Sequence, residues 1–359
     1  MRIGIVTQPL HTNYGGILQN YALQQVLKRM GHEVWTIDYN RLNWFDWVDC
    51  AWRVVVHKML GHDKKFPITP PEKERQEMPL RRFVENYISL TEPRTRVFKR
   101  GIIKKYAFDA IVVGSDQVWR PRYNYDVVDC FLRFAKKLPL RRIAYAASFG
   151  TDKWELTAKQ TTKCAALAKQ FDGISVREKS AVKLCKCYLG VEAEYVFDPT
   201  LLLDSADYME LCKEISRRDP FVFAYILDKS EDKLRQIKDF AKRNRLGYLI
   251  KSAESSSVED TVELWLSYFR DAAFVITDSF HGTVFSIIFN KDFYVFGNTD
   301  RGNSRFESLL SSVHIQSRIL SGAIPRADSK IDWDEVNALR EEIVHFSLNC
   351  MIKFIHKER

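Results

Sequence analysis

The chain has little of what marks membrane-spanning, metal-binding or disulfide-stapled proteins. No apolar run in its 359 residues approaches the ~20 that a bilayer span requires, so any lipid contact is expected to be peripheral. Seven cysteines, at positions 50, 130, 164, 185, 187, 212 and 350, are an odd number at irregular spacings. The nearest pair, Cys185 and Cys187, is a C-x-C with no second pair to complete a zinc site, and the set reads as reduced thiols. There is no His-Glu-x-x-His, no paired C-x-x-C and no Walker loop. Zinc hydrolases and P-loop enzymes are thereby set aside, and no metal or cofactor is expected. The first residues, Met1-Arg2-Ile3-Gly4-Ile5-Val6, read directly as a strand, without the charged and apolar regions of a secretory signal. A cytoplasmic location is expected. No repeat or low-complexity tract is present.

What the chain has is enough apolar material for two cores. At 46% apolar and 13% aromatic, a chain of this length suits two domains meeting at a cleft. The formal charge is +9, and it is concentrated. Residues 51–105 contain 14 Lys or Arg against 6 Asp or Glu, an excess of 8. Such a patch either favours anionic partners or is simply a solvated helical face. Its cations are separate from the neighbouring aromatics, so no nucleic-acid partner is expected.

Hydrophobic periodicity organises the rest. Residues 2–7 read as a buried strand, 17–30 as a helix ended by Gly31, and 32–39 as the next strand, a βαβ opening. Further strands fit 109–113, 143–148, 173–176 and 195–197. From about residue 206 the alternation restarts, with strands at 221–227, 248–252, 274–277 and 293–296. The expected class is α/β, with a first domain over 1–205 and a second over 206–332. A long amphipathic helix, 333–357, is expected to pack back on the first domain. An insertion at about 40–105 separates the second and third strands. Its early part, 42–60, carries Trp44, Phe45, Trp47 and Trp52, with Asp46, Asp49, Cys50, Arg53 and His57 on one narrow polar stripe if helical. A helix that apolar is either buried or lies against lipid, and a basic patch beside it is the pairing of an interfacial anchor.

In open α/β sheets ligands sit beyond the carboxyl ends of the strands. The loop after the first strand offers Gln8, His11, Asn13, Tyr14, Gly15 and Gly16, where glycine admits a close backbone approach and a helix N-terminus follows. It is equally a tight turn. After 111–113 come Gly114-Ser115-Asp116-Gln117-Val118-Trp119, in which Asp116 is either a base or hydroxyl orienter or a turn acid. Arg177 closes another strand with a fixed fork for carboxylate or phosphate, or pairs with Glu178 on the surface. Asp198-Pro199 reads as the end of the first domain and is assigned structure. The richest stretch is Thr277-Asp278-Ser279-Phe280-His281-Gly282, which delivers a histidine to the start of a helix, where orphan N–H groups and the peptide dipoles favour an anion. His281 can act as acid or base, and Ser279 binds phosphate, caps the helix, or both. Arg305, in Gly302-Asn303-Ser304-Arg305-Phe306, is a second anion clamp or a surface residue.

Taken in order, Asn13-Tyr14-Gly15-Gly16, Gly114-Ser115-Asp116-Gln117-Val118-Trp119, Ala146-Ala147-Ser148-Phe149-Gly150, Ser175-Val176-Arg177-Glu178, Asp198-Pro199-Thr200-Leu201-Leu202 and Ser279-Phe280-His281-Gly282 resemble the polysaccharide pyruvyl transferase family. The resemblance implies two Rossmann-like domains facing a cleft, similar to GT-B glycosyltransferases. It implies transfer of pyruvate from phosphoenolpyruvate, as a cyclic ketal, onto a sugar of a cell-surface polysaccharide precursor attached to polyprenyl diphosphate or a nucleotide. By likeness to the motif, His281 and Asp116 would be catalytic, and Arg177, Ser279, Gly282 and Arg305 would hold the donor. Asn13, Tyr14, Gly15, Gly16, Ser115 and Gln117 would line the acceptor side of the cleft. Some members carry a basic residue two positions before the histidine, where this chain has Ser279. The rival readings are a nucleotide-sugar glycosyltransferase of the same fold and a non-catalytic glycan binder. Peripheral contact with an anionic membrane through about 42–105, on the inner face of the cytoplasmic membrane, would suit a lipid-linked acceptor.

Overall fold

The computed structural model describes residues 1–39, 44–59, 69–95, 97–124, 126–215, 219–252, 260–297, 303–326 and 330–357. Strands β1 (Arg2–Val6), β2 (Glu33–Thr36), β3 (Ala110–Asp116), β4 (Arg141–Ala147), β5 (Gly173–Val176) and β6 (Glu194–Tyr195) form one parallel sheet in the order β2-β1-β3-β4-β5-β6. Strands β7 (Phe221–Tyr225), β8 (Gly247–Lys251), β9 (Phe274–Thr277), β10 (Phe293–Phe296) and β11 (Ile319–Leu320) form a second, ordered β11-β10-β9-β7-β8. Every ladder is parallel, so each connection crosses back through a helix or loop and both faces are covered. That is why β3, β7, β9 and β10 are buried at every position, and why β7 and β10 are apolar throughout while β3 and β9 turn polar only at their carboxyl ends.

The termini of two helices are set by side-chain caps. Asn13 Oδ1 accepts from Gly16 N at 3.1 Å, starting the helix Tyr14–Arg29. Ser279 Oγ accepts from Gly282 N at 3.3 Å, starting the helix Phe280–Ile288, whose residues are all buried. Each cap satisfies one of the orphan N–H groups of a first turn. The last helix, Trp333–His356, lies against the first sheet's side of the molecule: Ser347 Oγ accepts from Phe197 N at 3.1 Å, and the Phe354 ring rests directly on Gly173.

Several elements differ at their ends from what periodicity predicts, β2 (Glu33–Thr36) being shorter than 32–39 and the first helix (Tyr14–Arg29) starting earlier than 17, and β3 differs most consequentially. β3 does not stop at Val113 but continues through Gly114 and Ser115 to Asp116, because β4 keeps pairing with it, Gly114 opposite Tyr145 and Asp116 opposite Ala147. The aromatic-rich segment forms the helix Trp44–Met59, while Leu42 and Leu60 lie outside the described residues. So do Pro67 and Ile68; the next helix, Pro70–Tyr87, begins with Pro70 and Pro71 in its first turn, where a missing N–H costs nothing.

The two sheets are joined by polar and aromatic contacts as well as by a shared apolar core. Tyr14 stacks on Trp265 with ring centres 5.2 Å apart and planes 5° from parallel, and its Oη donates to Asp260 O at 2.9 Å. On the other flank Lys179 N donates to Ser308 Oγ at 3.0 Å and Tyr195 Oη to Ser308 O at 3.1 Å. Burial pushes the Tyr14 phenol well above its ordinary range, so it stays a donor. Tyr14→Phe keeps the stack and removes only that bond, leaving a buried carbonyl; urea denaturation is expected to register a loss of about 1–3 kcal/mol.

Candidate active site

Strand ends that point the same way share one edge, and in the first sheet that edge gathers charge. Arg177, one residue past β5, is fully buried; its Nη2 donates to Asp116 Oδ1 and its Nη1 to Asp198 Oδ2, both at 2.7 Å. Asp116 ends β3 at φ 72°, a left-handed conformation that costs a non-glycine residue about 1–2 kcal/mol. It is held there by Ser148 N and Val118 N, which donate to its carbonyl at 3.1 and 2.7 Å. Asp198 follows β6. Its Oδ1 accepts from Thr200 N at 3.1 Å and Thr200 Oγ1 at 2.7 Å, and its Oδ2 also accepts from Ser115 Oγ at 3.0 Å.

The second sheet delivers the opposing group. β9 ends at Thr277, and the helix opened by Ser279 turns the His281 ring toward the first sheet, with Nε2 3.7 Å from Asp198 Oδ2. That separation is too long for a hydrogen bond and short enough for a strong charge interaction. His281 Nε2 is buried and has no hydrogen-bond partner among the described residues. Gly15 packs flush against the ring, so the N-termini of the helices Tyr14–Arg29 and Phe280–Ile288 meet at the imidazole. Phe280 contacts two cations, with the guanidinium carbon of Arg177 4.8 Å from its ring centre and that of Arg305 at 5.5 Å.

The electrostatics follow from burial and proximity. Burial works to raise the Asp198 carboxyl, but His281 and Arg177 outweigh it and hold the group far below the usual carboxylate range. Burial likewise opposes ionisation of Asp116, and Arg177, His281 and Arg305 together still hold it below its ordinary value. Burial pulls Arg305 down to about 10, with the like charge of Arg177 adding to the effect, so it remains a cation at neutral pH. Glu178 goes the other way, raised by burial despite both arginines.

Not all the residues singled out in the sequence converge here. His281, Asp116, Arg177 and Arg305 do, and Ser279 and Gly282 build the turn beneath them; a side chain at Gly282 would strike Thr277. Asn13 is a helix cap and Gly16 its partner, Gly15 touches His281, and Tyr14 ties the two sheets together. Ser115 is fully buried, bonded to Asp198 and to Ala146 O. Gln117 Oε1 accepts from Arg120 Nη1 at 3.2 Å, with Gly150 close against the amide. Gly302 lies outside the described residues. The alternative of an Arg177–Glu178 surface pair is not found: both are buried, and the Glu178 carboxylate instead accepts from Ser148 Oγ at 3.0 Å and Phe149 N at 2.9 Å. Asp198, which the sequence marks only as the end of a domain, is the hub. The available signal was its place just past the strand that neighbours Arg177's own. Gln19, on the first helix, ties the site's framework together: its amide joins Ser115 N at 2.9 Å to Thr7 Oγ1 at 2.9 Å.

A sequence model of the polysaccharide pyruvyl transferase family matches residues 13–301. No curated protein matches the chain. Among solved structures, the chain is similar to Methanocaldococcus jannaschii UDP-GlcNAc 2-epimerase in complex with UDP-GlcNAc and UDP, at TM-score 0.50 and 11% identity over 100% of each chain. It is also similar to the N-terminal domain of Candida albicans trehalose-6-phosphate phosphatase, at TM-score 0.51 and 11% identity, covering 99% of this chain and 96% of that one. At such identities the likeness shows the fold: two parallel α/β sheets in the GT-B arrangement.

Asp198→Asn tests the hub. Because the folded carboxyl titrates below its unfolded value of about 3.9, its stabilisation is complete above that pH and is lost as pH falls toward the folded value. Urea titrations should therefore find the variant destabilised by about 3–5 kcal/mol at neutral pH, the cost of unpairing a buried charge. The gap should narrow below about pH 4. A gap that is the same size at about pH 3 and pH 7 would contradict the electrostatic account. Gly15→Ala places a methyl group against His281; about 1–3 kcal/mol of stability should be lost to overpacking, and ligand affinity at the site should fall with it.

Proposed function

Since the chain belongs to the polysaccharide pyruvyl transferase family, we propose that it moves pyruvate from phosphoenolpyruvate onto a sugar of a capsule, exopolysaccharide or cell-wall precursor as a cyclic ketal, releasing phosphate. The observation that carries this reading is His281: a buried imidazole whose Nε2 has no hydrogen-bond partner among the described residues, facing an ionised carboxylate at 3.7 Å. An imidazole placed there can carry and give up a proton, as a general acid must.

In this reading His281 gives its proton to the methylene carbon of phosphoenolpyruvate, turning it into a methyl group and leaving oxocarbenium character at the adjacent carbon. A sugar hydroxyl bonds to that carbon and loses its proton, and Asp116 orients that hydroxyl or takes the proton. The carbon–oxygen bond to phosphate breaks, inorganic phosphate departs, and a second hydroxyl of the same sugar bonds to that carbon and closes the ring, its proton returning to the His281 imidazole. Arg305 and the N-terminus of the helix Phe280–Ile288 hold the donor's carboxylate and phosphate. Both Nη atoms of Arg177 are already committed to carboxylates, so its part is to add positive charge and keep Asp116 and Asp198 in place. Ser279, standing where some relatives carry a cation, leaves donor binding to these groups. A precursor carried on polyprenyl diphosphate at the inner face of the cytoplasmic membrane fits as acceptor.

The fold alone would also accommodate a nucleotide-sugar glycosyltransferase. The two readings part on ligand protection: millimolar phosphoenolpyruvate should raise the melting temperature, while UDP- and GDP-sugars should not. His281→Ala should remain folded and lose turnover by roughly 10²-fold or more, the usual contribution of a proton-transfer group. Protection by a nucleotide sugar with none from phosphoenolpyruvate would reverse the assignment, and unchanged turnover in the alanine variant would remove His281 from the chemistry.

A further inference from the structure

The helix Trp44–Met59 is apolar and leaves large apolar side chains exposed. None of its described residues is buried, and Val48, Trp52, Val56 and Met59 are exposed to 56, 66, 41 and 80%. At the α-helical turn of about 100° per residue these four side chains project within roughly 80° of one another, forming one continuous apolar stripe. Surface apolar residues scattered singly are unremarkable, whereas a contiguous row that includes a tryptophan marks a contact surface.

Charge selects the occupant. The surrounding stretch 51–105 carries 14 basic and 6 acidic residues, and Arg75, Arg82, Lys99 and Lys104 on the elements that follow the helix are exposed. A second copy of the chain would bring the same positive surplus against itself. An anionic lipid surface is attracted by it, and tryptophan's amphipathic ring is suited to the headgroup boundary. We propose that the helix Trp44–Met59 lies in the plane of an anionic bilayer, sinking Val48, Trp52, Val56 and Met59 below the headgroups while the neighbouring cations face lipid phosphate. The insertion leaves the first sheet at the carboxyl end of β2, the edge at which β3 presents Asp116 and β5 leads into Arg177. Docking there brings the site's edge to the membrane, where a lipid-linked sugar is found. The inference thus deepens the proposed function, although binding to bilayers does not require the chemistry to be right.

Sedimentation with vesicles tests it without donor or acceptor. The full chain should co-sediment with vesicles of phosphatidylcholine containing phosphatidylglycerol, bind pure phosphatidylcholine far more weakly, and dissociate as salt rises. Substituting Trp52, Val56 and Met59 together by serine should weaken partitioning by roughly tenfold or more, with Trp52→Ser alone giving a smaller loss. Melting temperature and response to phosphoenolpyruvate should not change, because the replaced side chains face solvent. Failure of the unsubstituted chain to bind anionic vesicles, undiminished binding by the triple variant, or a lower melting temperature in that variant would each overturn the proposal. So would a concentration-dependent dimer that the substitutions dissolve, since the stripe would then belong to a second copy. Loss of vesicle binding with donor protection intact leaves the pyruvyl transfer reading standing, and the reverse result leaves the membrane surface standing.

Discussion

Asp198 is the point on which both halves of the molecule depend. Its carboxylate accepts from Arg177, Ser115 and Thr200 within the first half and faces His281 from the second. Burying a carboxylate is expensive unless its charge and lone pairs are met. Here they are met by groups from several separate chain segments: the ion pair with Arg177 needs the first sheet to be built, and the approach of His281 needs the second sheet to be brought against it. The depressed titration of Asp198 and Asp116 expresses the same constraint: the folded state holds negative charge exactly where positive charge has been assembled around it.

The positive groups are arranged by the backbone as much as by side chains. Parallel strands place Asp116 and Arg177 along one edge, and the helices that begin at Tyr14 and Phe280 aim their N-termini at the same imidazole. Glycine at position 15 is what permits that approach, since any side chain there would occupy the space of the His281 ring. Phe280 offers its ring to both guanidinium groups. That positive field is built into the fold and needs no reorganisation to act.

Much of this was legible in the chain. The βαβ opening, the restart of alternation near residue 206 and the histidine at a strand-to-helix turn follow from periodicity and capping, because each is fixed by residues close in sequence. The hub was not. Asp198 sits before a proline, where a chain stop is the local message, and its partners at 115, 177, 200 and 281 become neighbours only through sheet order. Arg177 is legible in the chain as a strand-end cation, whereas its two carboxylate partners come from strands distant in sequence. Whether the tryptophan-rich helix faces core or solvent was equally undecidable from composition; the structure leaves Trp52 in the open.

The most direct test of the central claim is a mass spectrum of lipid-linked and nucleotide-linked saccharides after incubation with the protein and phosphoenolpyruvate. The account predicts a product carrying one pyruvyl ketal, phosphate released in equal amount, and no product with the His281→Ala variant. A full panel of acceptors left unmodified, while a nucleotide sugar is consumed under the same conditions, would contradict it.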